Sequence, residues 1–247
     1  MSTESNGKQL AVLSFHKIGK PPADGWNTWF YIPKETFVCQ LNDLKTGGWE
    51  VLDRVQFLEG LRNPERLPER SVLITFDDGY RSMRTLVLPL MREFGLPAVL
   101  FVPTDYVGGR NAFDGGAEPD EAICNWDDLR ELESGGISIQ SHGASHRRFS
   151  ELNLDEQKGE LMRSKATLEG GLGKQIDMLA FPYGDDGANP QELRDELVLT
   201  GYRAACLYPG GLISFPVTNP FQLPRVAMGP DTNLEAVLVR GESIPLS

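Results

Sequence analysis

Histidine is scarce in this chain: its 247 residues carry only three, His16, His142 and His146. Cysteine is as rare, with Cys39, Cys124 and Cys206 far apart in sequence. An odd count without close pairs does not look like a disulfide framework and reads as buried thiols in a reducing compartment. Basic residues are outnumbered, 24 Lys and Arg against 35 Asp and Glu, for a net charge of -11. That deficit argues against nucleic acid and anionic membrane as partners, because both demand a basic face. No apolar run is long enough to span a bilayer. Met1–Gln9 is polar and lacks the apolar core of a signal peptide. The expected location is therefore cytoplasmic. There is no internal repeat and no low-complexity linker.

What is present alternates. Short apolar runs rich in β-formers fall at Ala11–Phe15, Trp49–Leu52, Val72–Phe76, Ala98–Val102, Ile137–Gln140, Met178–Phe181, Arg203–Leu207 and Gln222–Val226. Several are apolar throughout, as in strands covered on both faces. Helix patterns lie between them. Pro33 opens one that Gly47-Gly48 closes, and a shorter one runs from Val55 to Leu61. Tyr80 to Phe94 is a third, which Pro89 should kink or end early. Asn125 can cap a fourth, Asn153 with Glu156 resembles a capping box, Asn189-Pro190 starts another, and Leu234 to Val239 makes a last turn. Lys20–Thr28 and Gly108–Asp120 read as surface loops. Strand alternating with helix implies parallel βα units, and about eight of them in one chain suggest a closed or nearly closed barrel. The fold class expected is α/β: a single distorted (β/α)7–8 barrel with parallel strands, one domain over 1–247 with its core at about 10–240.

Two strings carry the chemistry. Thr75-Phe76-Asp77-Asp78-Gly79 directly follows one strand pattern, and Ser141-His142-Gly143-Ala144-Ser145-His146 directly follows another. In a parallel barrel the carboxyl ends of the strands converge, so the two can meet in space. An Asp-Asp-Gly alone is an ordinary turn, and a lone H-x-x-x-H is an ordinary packed pair. Together, at two strand ends, they form a metal-site inventory. Adjacent carboxylates repel unless a cation takes one of them. A divalent ion on Asp78, His142 and His146 keeps an open position, the catalytic pattern rather than the closed structural one. Asp77, beside the ion but not on it, can take a proton from the water there.

Further candidates lie at other strand ends. In Ala180-Phe181-Pro182-Tyr183-Gly184, Pro182 and the Tyr183 ring line the cleft, and the Tyr183 N–H can steady an oxyanion. Arg225 sits in an apolar strand and needs a partner, Asp77 being the obvious one, unless it snorkels to water. His16 ends the first strand, either hydrogen-bonded in the barrel mouth or near substrate. Trp126 is a candidate stacking platform for a sugar ring, with Trp26 and Trp29 behind it.

These residues resemble the polysaccharide deacetylase family, carbohydrate esterase family four, over about Leu10 to Val226. Thr75–Tyr80 is similar to its first motif, T-F-D-D-G, which implies Asp77 as catalytic base and Asp78 as metal ligand. Ser141–His146 resembles the second, S-H-[ST]-x-x-H, which implies His142 and His146 as ligands. Phe181–Gly184 resembles the third. The opening Phe15-His16-Lys17-Ile18 looks more like the branch containing poly-N-acetylglucosamine deacetylases. The resemblance implies metal-assisted removal of acetyl from an N-acetylated carbohydrate, with one divalent ion, zinc first, and cobalt, nickel or iron sharing the same ligands.

Three departures stand out. Ala180 replaces an Arg of the third motif, a role open to Arg225. The last motif's His, a general acid, is missing near Leu223–Met228, a role open to His16. Gly143 stands where Ser or Thr is usual. Two alternatives stay open: a catalytically weak carbohydrate-binding protein on a degenerate barrel, and a deacylase of a non-sugar amide. The oligomeric state is not legible.

Overall fold

A computed structural model of the protein describes residues 8–21, 26 and 28–240. Along the chain come β1 (Gln9–Phe15), the short pair β2 (Lys17–Ile18) and β3 (Tyr31–Ile32), α1 (Lys34–Thr46), β4 (Glu50–Val51), α2 (Arg54–Arg62) and β5 (Arg70–Phe76). Then follow α3 (Leu88–Phe94), β6 (Ala98–Val102), α4 (Trp126–Ser134), β7 (Ile137–Ser141), α5 (Leu154–Leu172), β8 (Met178–Ala180), α6 (Pro190–Thr200), β9 (Ala204–Cys206), β10 (Val226–Ala227) and α7 (Leu234–Arg240). The parallel order is β10-β1-β5-β6-β7-β8-β9, with β4 added beside the start of β5. β1 and β5 pair over their whole lengths, from Gln9 opposite Arg70 to Phe15 opposite Phe76.

One short segment closes the curl. Leu223 bridges to Cys206 on β9, and three residues later Val226 pairs with Leu13 on β1. The stretch expected as the last strand, Gln222–Val226, thus splits its pairing between the two sheet edges, and only Val226–Ala227 is a regular strand. The parallel (β/α) barrel expected from the alternation is the fold observed, distorted at this seam.

Strand alternation sorts the core into two layers. Leu10, Val12, Leu73, Val99, Phe101, Met178, Ala180, Ala204, Cys206 and Leu223 fill the barrel. Ala11, Leu13, Val72, Ile74, Ile137 and Ile139 face outward, against Phe37, Leu41, Leu129, Leu132, Leu161 and Leu168 of the helices. Three helices begin with complete capping boxes, at Asp53/Gln56, Asn125/Asp128 and Asn153/Glu156. Each carboxamide or carboxylate takes an orphan N–H of the first turn.

Local expectations need adjustment. The third helix starts later than Tyr80, as a wide π turn over Met83–Val87, and runs on as α3 with Pro89 in its first turn. Pro89 neither ends nor breaks it. The wide turn lies where the proline ring would otherwise press on the carbonyl four residues back. Cys124 and Cys206 are free and buried, but Cys39 is free and exposed on α1, because the apolar stripe of that helix runs through Phe37, Leu41 and Leu44 instead. The loop expected at Lys20–Thr28 lies partly outside the described residues. Among the described residues no helix is long and apolar enough to cross a membrane.

Gln140 is a polar residue inside the barrel, fully buried on β7. Its side-chain carbonyl accepts the N–H groups of Asp177 (3.0 Å) and Met178 (2.9 Å). It replaces the missing lower ladder between β7 and β8, which share only the Ser141–Leu179 register pair. Gln140→Leu should therefore cost stability, because each orphaned buried N–H costs about 1–3 kcal/mol. Chemical denaturation checks this; a loss of under about 0.5 kcal/mol, the range of an uninvolved surface change, contradicts it.

Candidate metal centre and active-site cleft

Strand parity aims the chemistry at one place. His16 has the inward parity of Leu10 and Val12, Asp77 that of Leu73, His142 that of Gln140, and Arg225 that of Leu223. All four line one cleft at the carboxyl end of the barrel, with Asp78, His146 and Tyr183.

The Nε2 atoms of His142 and His146 lie 3.5 and 3.2 Å from the same oxygen, Oδ1 of Asp78. One ligand atom from each of the three residues falls within 4.8 Å of the others. His142 Nδ1 lies 2.7 Å from the Ala180 carbonyl oxygen and can donate to it, leaving Nε2 as the free electron pair facing Asp78. Two imidazoles and one carboxylate, all buried, suit a divalent transition ion, so the donor set fits the expected metal.

Asp77 is held apart from this group. Arg225 donates both terminal nitrogens to it, Nη1 to Oδ1 at 2.7 Å and Nη2 to Oδ2 at 2.8 Å, and its Nε donates to the Leu207 carbonyl at 2.8 Å. Arg225 is 1% exposed and Asp77 2%. Burial alone pushes the Asp77 carboxyl up. The Arg225 guanidinium, with the His142 and His16 imidazoles, outweighs this and holds it below the usual carboxylate range. His16 Nε2 lies 3.8 Å from Asp77 Oδ2, with its ring against Phe30 and Tyr208. Burial pushes the His16 imidazolium down, and neighbouring Asp77 only partly reverses it.

Backbone strain concentrates here. Among the described residues the non-glycine positions with positive φ are Asp78 (71°), His146 (58°) and Tyr183 (59°). Each is a site residue in a region that L side chains rarely occupy, a cost accepted where geometry matters. Gly184 (φ 69°) permits the next close approach: a Cβ there would lie 2.1 Å from the Tyr208 carbonyl oxygen. Tyr183 is half-exposed at the lip, its ring against His146 and under the Arg148 guanidinium, and Pro182 is buried behind it.

Trp126 is not at the cleft. It sits in the first turn of α4 and packs its ring over Gly171 of α5, on the outer layer, where a Cβ would meet the ring at 2.2 Å. Helix-helix packing claims it, so it offers no sugar platform. Trp29 donates to Asp231 and packs over Gly229, and its ring meets Phe30, which lines the cleft.

Several cleft residues gave no signal in the sequence reading. Lys17 is 1% exposed, donates to Glu118 at 2.7 Å and lies over the rings of Tyr31 and Tyr80. Through Lys17 and Thr28, Glu118 ties down the Gly108–Asp120 loop. That loop is therefore a wall of the cleft, presenting Asp114 and Glu118, and not merely surface. Lys17 immediately after His16 in a β-pattern was the available hint, because a lysine of that parity must be paired or exposed.

A family model described as polysaccharide deacetylase matches residues 65–205, more than half of the chain. "Putative polysaccharide deacetylase YxkH" of Bacillus subtilis (strain 168) is 24% identical over 184 residues, 74% of this chain and 60% of the relative. The poly-beta-1,6-N-acetyl-D-glucosamine N-deacetylase of Escherichia coli (strain K12) is 41% identical over 90 residues, 36% of this chain and 13% of that protein. The chain thus spans less than two thirds of either relative. Among solved structures, the Streptococcus pyogenes deacetylase PplD in complex with acetate is similar at a TM-score of 0.80 and 21% identity, covering 93% of this chain and 98% of that one. It shares the fold.

Breaking the Arg225–Asp77 pair leaves a buried charge without its partner, a loss of about 3–5 kcal/mol. Arg225→Met should show that loss by denaturation at neutral pH. Because the folded Asp77 carboxyl lies below its ordinary value, the pair contributes fully above the ordinary carboxylate range and is lost as pH falls toward the lowered value. The deficit of the variant should therefore narrow in acid. A loss below about 1 kcal/mol, the size of an exposed pair, or a deficit that widens in acid, contradicts the assignment.

Proposed function

Because the chain belongs to the polysaccharide deacetylase family, a family of hydrolases acting on carbon–nitrogen bonds other than peptide bonds, we propose that it removes N-acetyl groups from an amino-sugar polymer or oligomer, with N-acetylglucosamine glycans as the first substrate class. The observation that carries this reading is the convergence of Asp78, His142 and His146 beside an Arg-held Asp77. A divalent ion held by Asp78, His142 and His146, which we take as zinc ahead of cobalt, nickel or iron, supplies an acidified water and a polarised carbonyl when bound.

The residues of the chain do the rest. Asp77 stays ionised because Arg225 holds it so, and it takes the proton of the attacking water as general base. Arg225 also fixes the carboxylate plane from two sides, so the base cannot swing onto the neighbouring ligands. The Tyr183 N–H steadies the oxyanion of the tetrahedral intermediate from the lip of the cleft. His16, 3.8 Å from Asp77, relays to the departing amine the proton that Asp77 takes from water, in the place of the missing last-motif histidine. Water and amide become acetate and the ammonium form of the amino sugar (RNHCOCH3 + H2O → CH3COO− + RNH3+), so atoms and charge balance. The cleft, about 320 Å³, lies at the small end of the range for ligand sites. His16 lining the same cleft as Asp77 weighs against a binding-only barrel.

Acetate release from N-acetylglucosamine oligomers, with metal content measured alongside, tests the reading. Asp77→Asn should lose about 10²–10⁴-fold in turnover while keeping its metal, and His142→Ala should lose both. Circular dichroism checks that each variant is folded. Undiminished turnover in folded Asp77→Asn removes Asp77 as base. No acetate from the metal-loaded native chain on any N-acetylated sugar overturns the function.

A further inference from the structure

Glu160 lies on α5, outside the two strings that carry the chemistry, yet it is 6% exposed and turned toward one of them. Its Oε2 accepts the N–H of Ala144 at 2.7 Å and the N–H of Ser145 at 2.8 Å. Its Oε1 accepts the Ser145 hydroxyl at 2.8 Å and Arg163 Nη2 at 3.1 Å. Arg163 reaches on to Asp105. From the other side, the N–H groups of Thr104 and Asp105 donate to the carbonyls of Gly143 (3.3 Å) and Ala144 (3.0 Å). The loop between the two histidines is thus clamped at its carbonyls by the segment after β6 and at its amides by one carboxylate.

The two imidazoles differ in what orients them. His142 has a ring hydrogen-bond partner, the Ala180 carbonyl. His146 has none for Nδ1, which is buried and unpartnered among the described residues. Its ring is bounded by Phe113, at 4.2 Å between centroids, and by His142 and Tyr183, each at 4.9 Å, none of which orients Nδ1. Its backbone is left-handed, a conformation that costs energy and relaxes unless the surroundings enforce it. The two amides that Glu160 grips are those of the two residues immediately before His146.

Gly143 belongs to the same arrangement. Its φ is 72°, and a Cβ at this position would lie 3.2 Å from Glu160 Oε2, tighter than ordinary contact. A serine or threonine there would press on the carboxylate. The glycine and the glutamate therefore go together, with an external acceptor on a helix doing what a hydroxyl inside the loop could do.

We propose that Glu160 is the positioning residue for His146: by binding the Ala144 and Ser145 amides, it holds the left-handed backbone that presents the second imidazole, and so sets the affinity of the site for its divalent ion. The inference rests on the metal-binding reading of Asp78, His142 and His146. Partners of this kind, one shell out from the ligands, change metal affinity by about 10–100-fold when removed.

The test is zinc affinity by chelator competition, and the visible spectrum of the cobalt-loaded protein, for the full chain and for Glu160→Ala, Glu160→Gln, Glu160→Asp and His142→Ala. Thermal stability of the metal-free forms is measured in parallel. Glu160→Ala should bind zinc about 10–100-fold more weakly with an altered cobalt spectrum. Glu160→Gln, whose carbonyl can still accept both amides, should recover most of the affinity. Glu160→Asp keeps the charge but is too short to reach both amides, so it should fall between the two and keeps the test open if the alanine variant does not fold. Native zinc affinity and an unchanged cobalt spectrum in Glu160→Ala or Glu160→Asp, with only a lower melting temperature, overturn the proposal and leave the metal site standing. No zinc binding by the native chain overturns both. Loss of zinc in His142→Ala with full retention in all Glu160 variants overturns the proposal alone.

Discussion

Two carboxylates side by side, both buried, are the constraint around which the mouth of this barrel is arranged. Asp77 and Asp78 are each nearly inaccessible to solvent, and neither can stay charged there without a counter-charge. The chain resolves the two separately. Asp77 is given a guanidinium that arrives on the closing segment between β9 and β1. Asp78 is given two imidazoles and, on our reading, the cation they share. The division of labour we propose between base and ligand follows from that difference in partners, not from any chemical difference between two aspartates.

The closure of the barrel and the charge state of Asp77 are consequently one feature. Leu223 and Val226 stitch the two sheet edges together, and Arg225 lies between them pointing inward. A two-residue strand is enough, because Arg225 just before it is anchored by the ion pair to Asp77, directly after β5, and by the bond to Leu207. On the opposite side, the strained backbones of Asp78, His146 and Tyr183 show where fold stability is exchanged for placement. Glu160 and the segment after β6 brace one of these. Gly184, packed on the Tyr208 backbone, braces another.

Much of this was legible in the sequence, for identifiable reasons. Parallel strands buried on both faces leave near-continuous apolar runs, so every main strand was found near its place, and the capping residues at Asn125 and Asn153 marked their helices. Strand-end position drew attention to Asp77, Asp78, His142 and Arg225, because the carboxyl ends of a parallel barrel meet. What stayed hidden depends on tertiary contact. Trp126 read as a sugar platform because aromatic character says nothing about which neighbour covers it, and Gly171 does. Glu118 signals only when seen with Lys17, since the two lie far apart in sequence. Glu160 sits within an ordinary amphipathic helix, and only its distance to two amides sets it apart. Pro89 does not end the helix early, because a wide turn can absorb a ring that a regular helix cannot.

The account stands on one cation shared by three side chains with a fourth left free beside it. Crystals of the protein grown with zinc, measured on both sides of the zinc absorption edge, address this directly. The account predicts a single strong anomalous peak within bonding distance of Asp78, His142 and His146, with Asp77 still paired to Arg225. A peak bonded to Asp77 in place of Asp78, or no peak in the cleft at full zinc occupancy elsewhere, would contradict it.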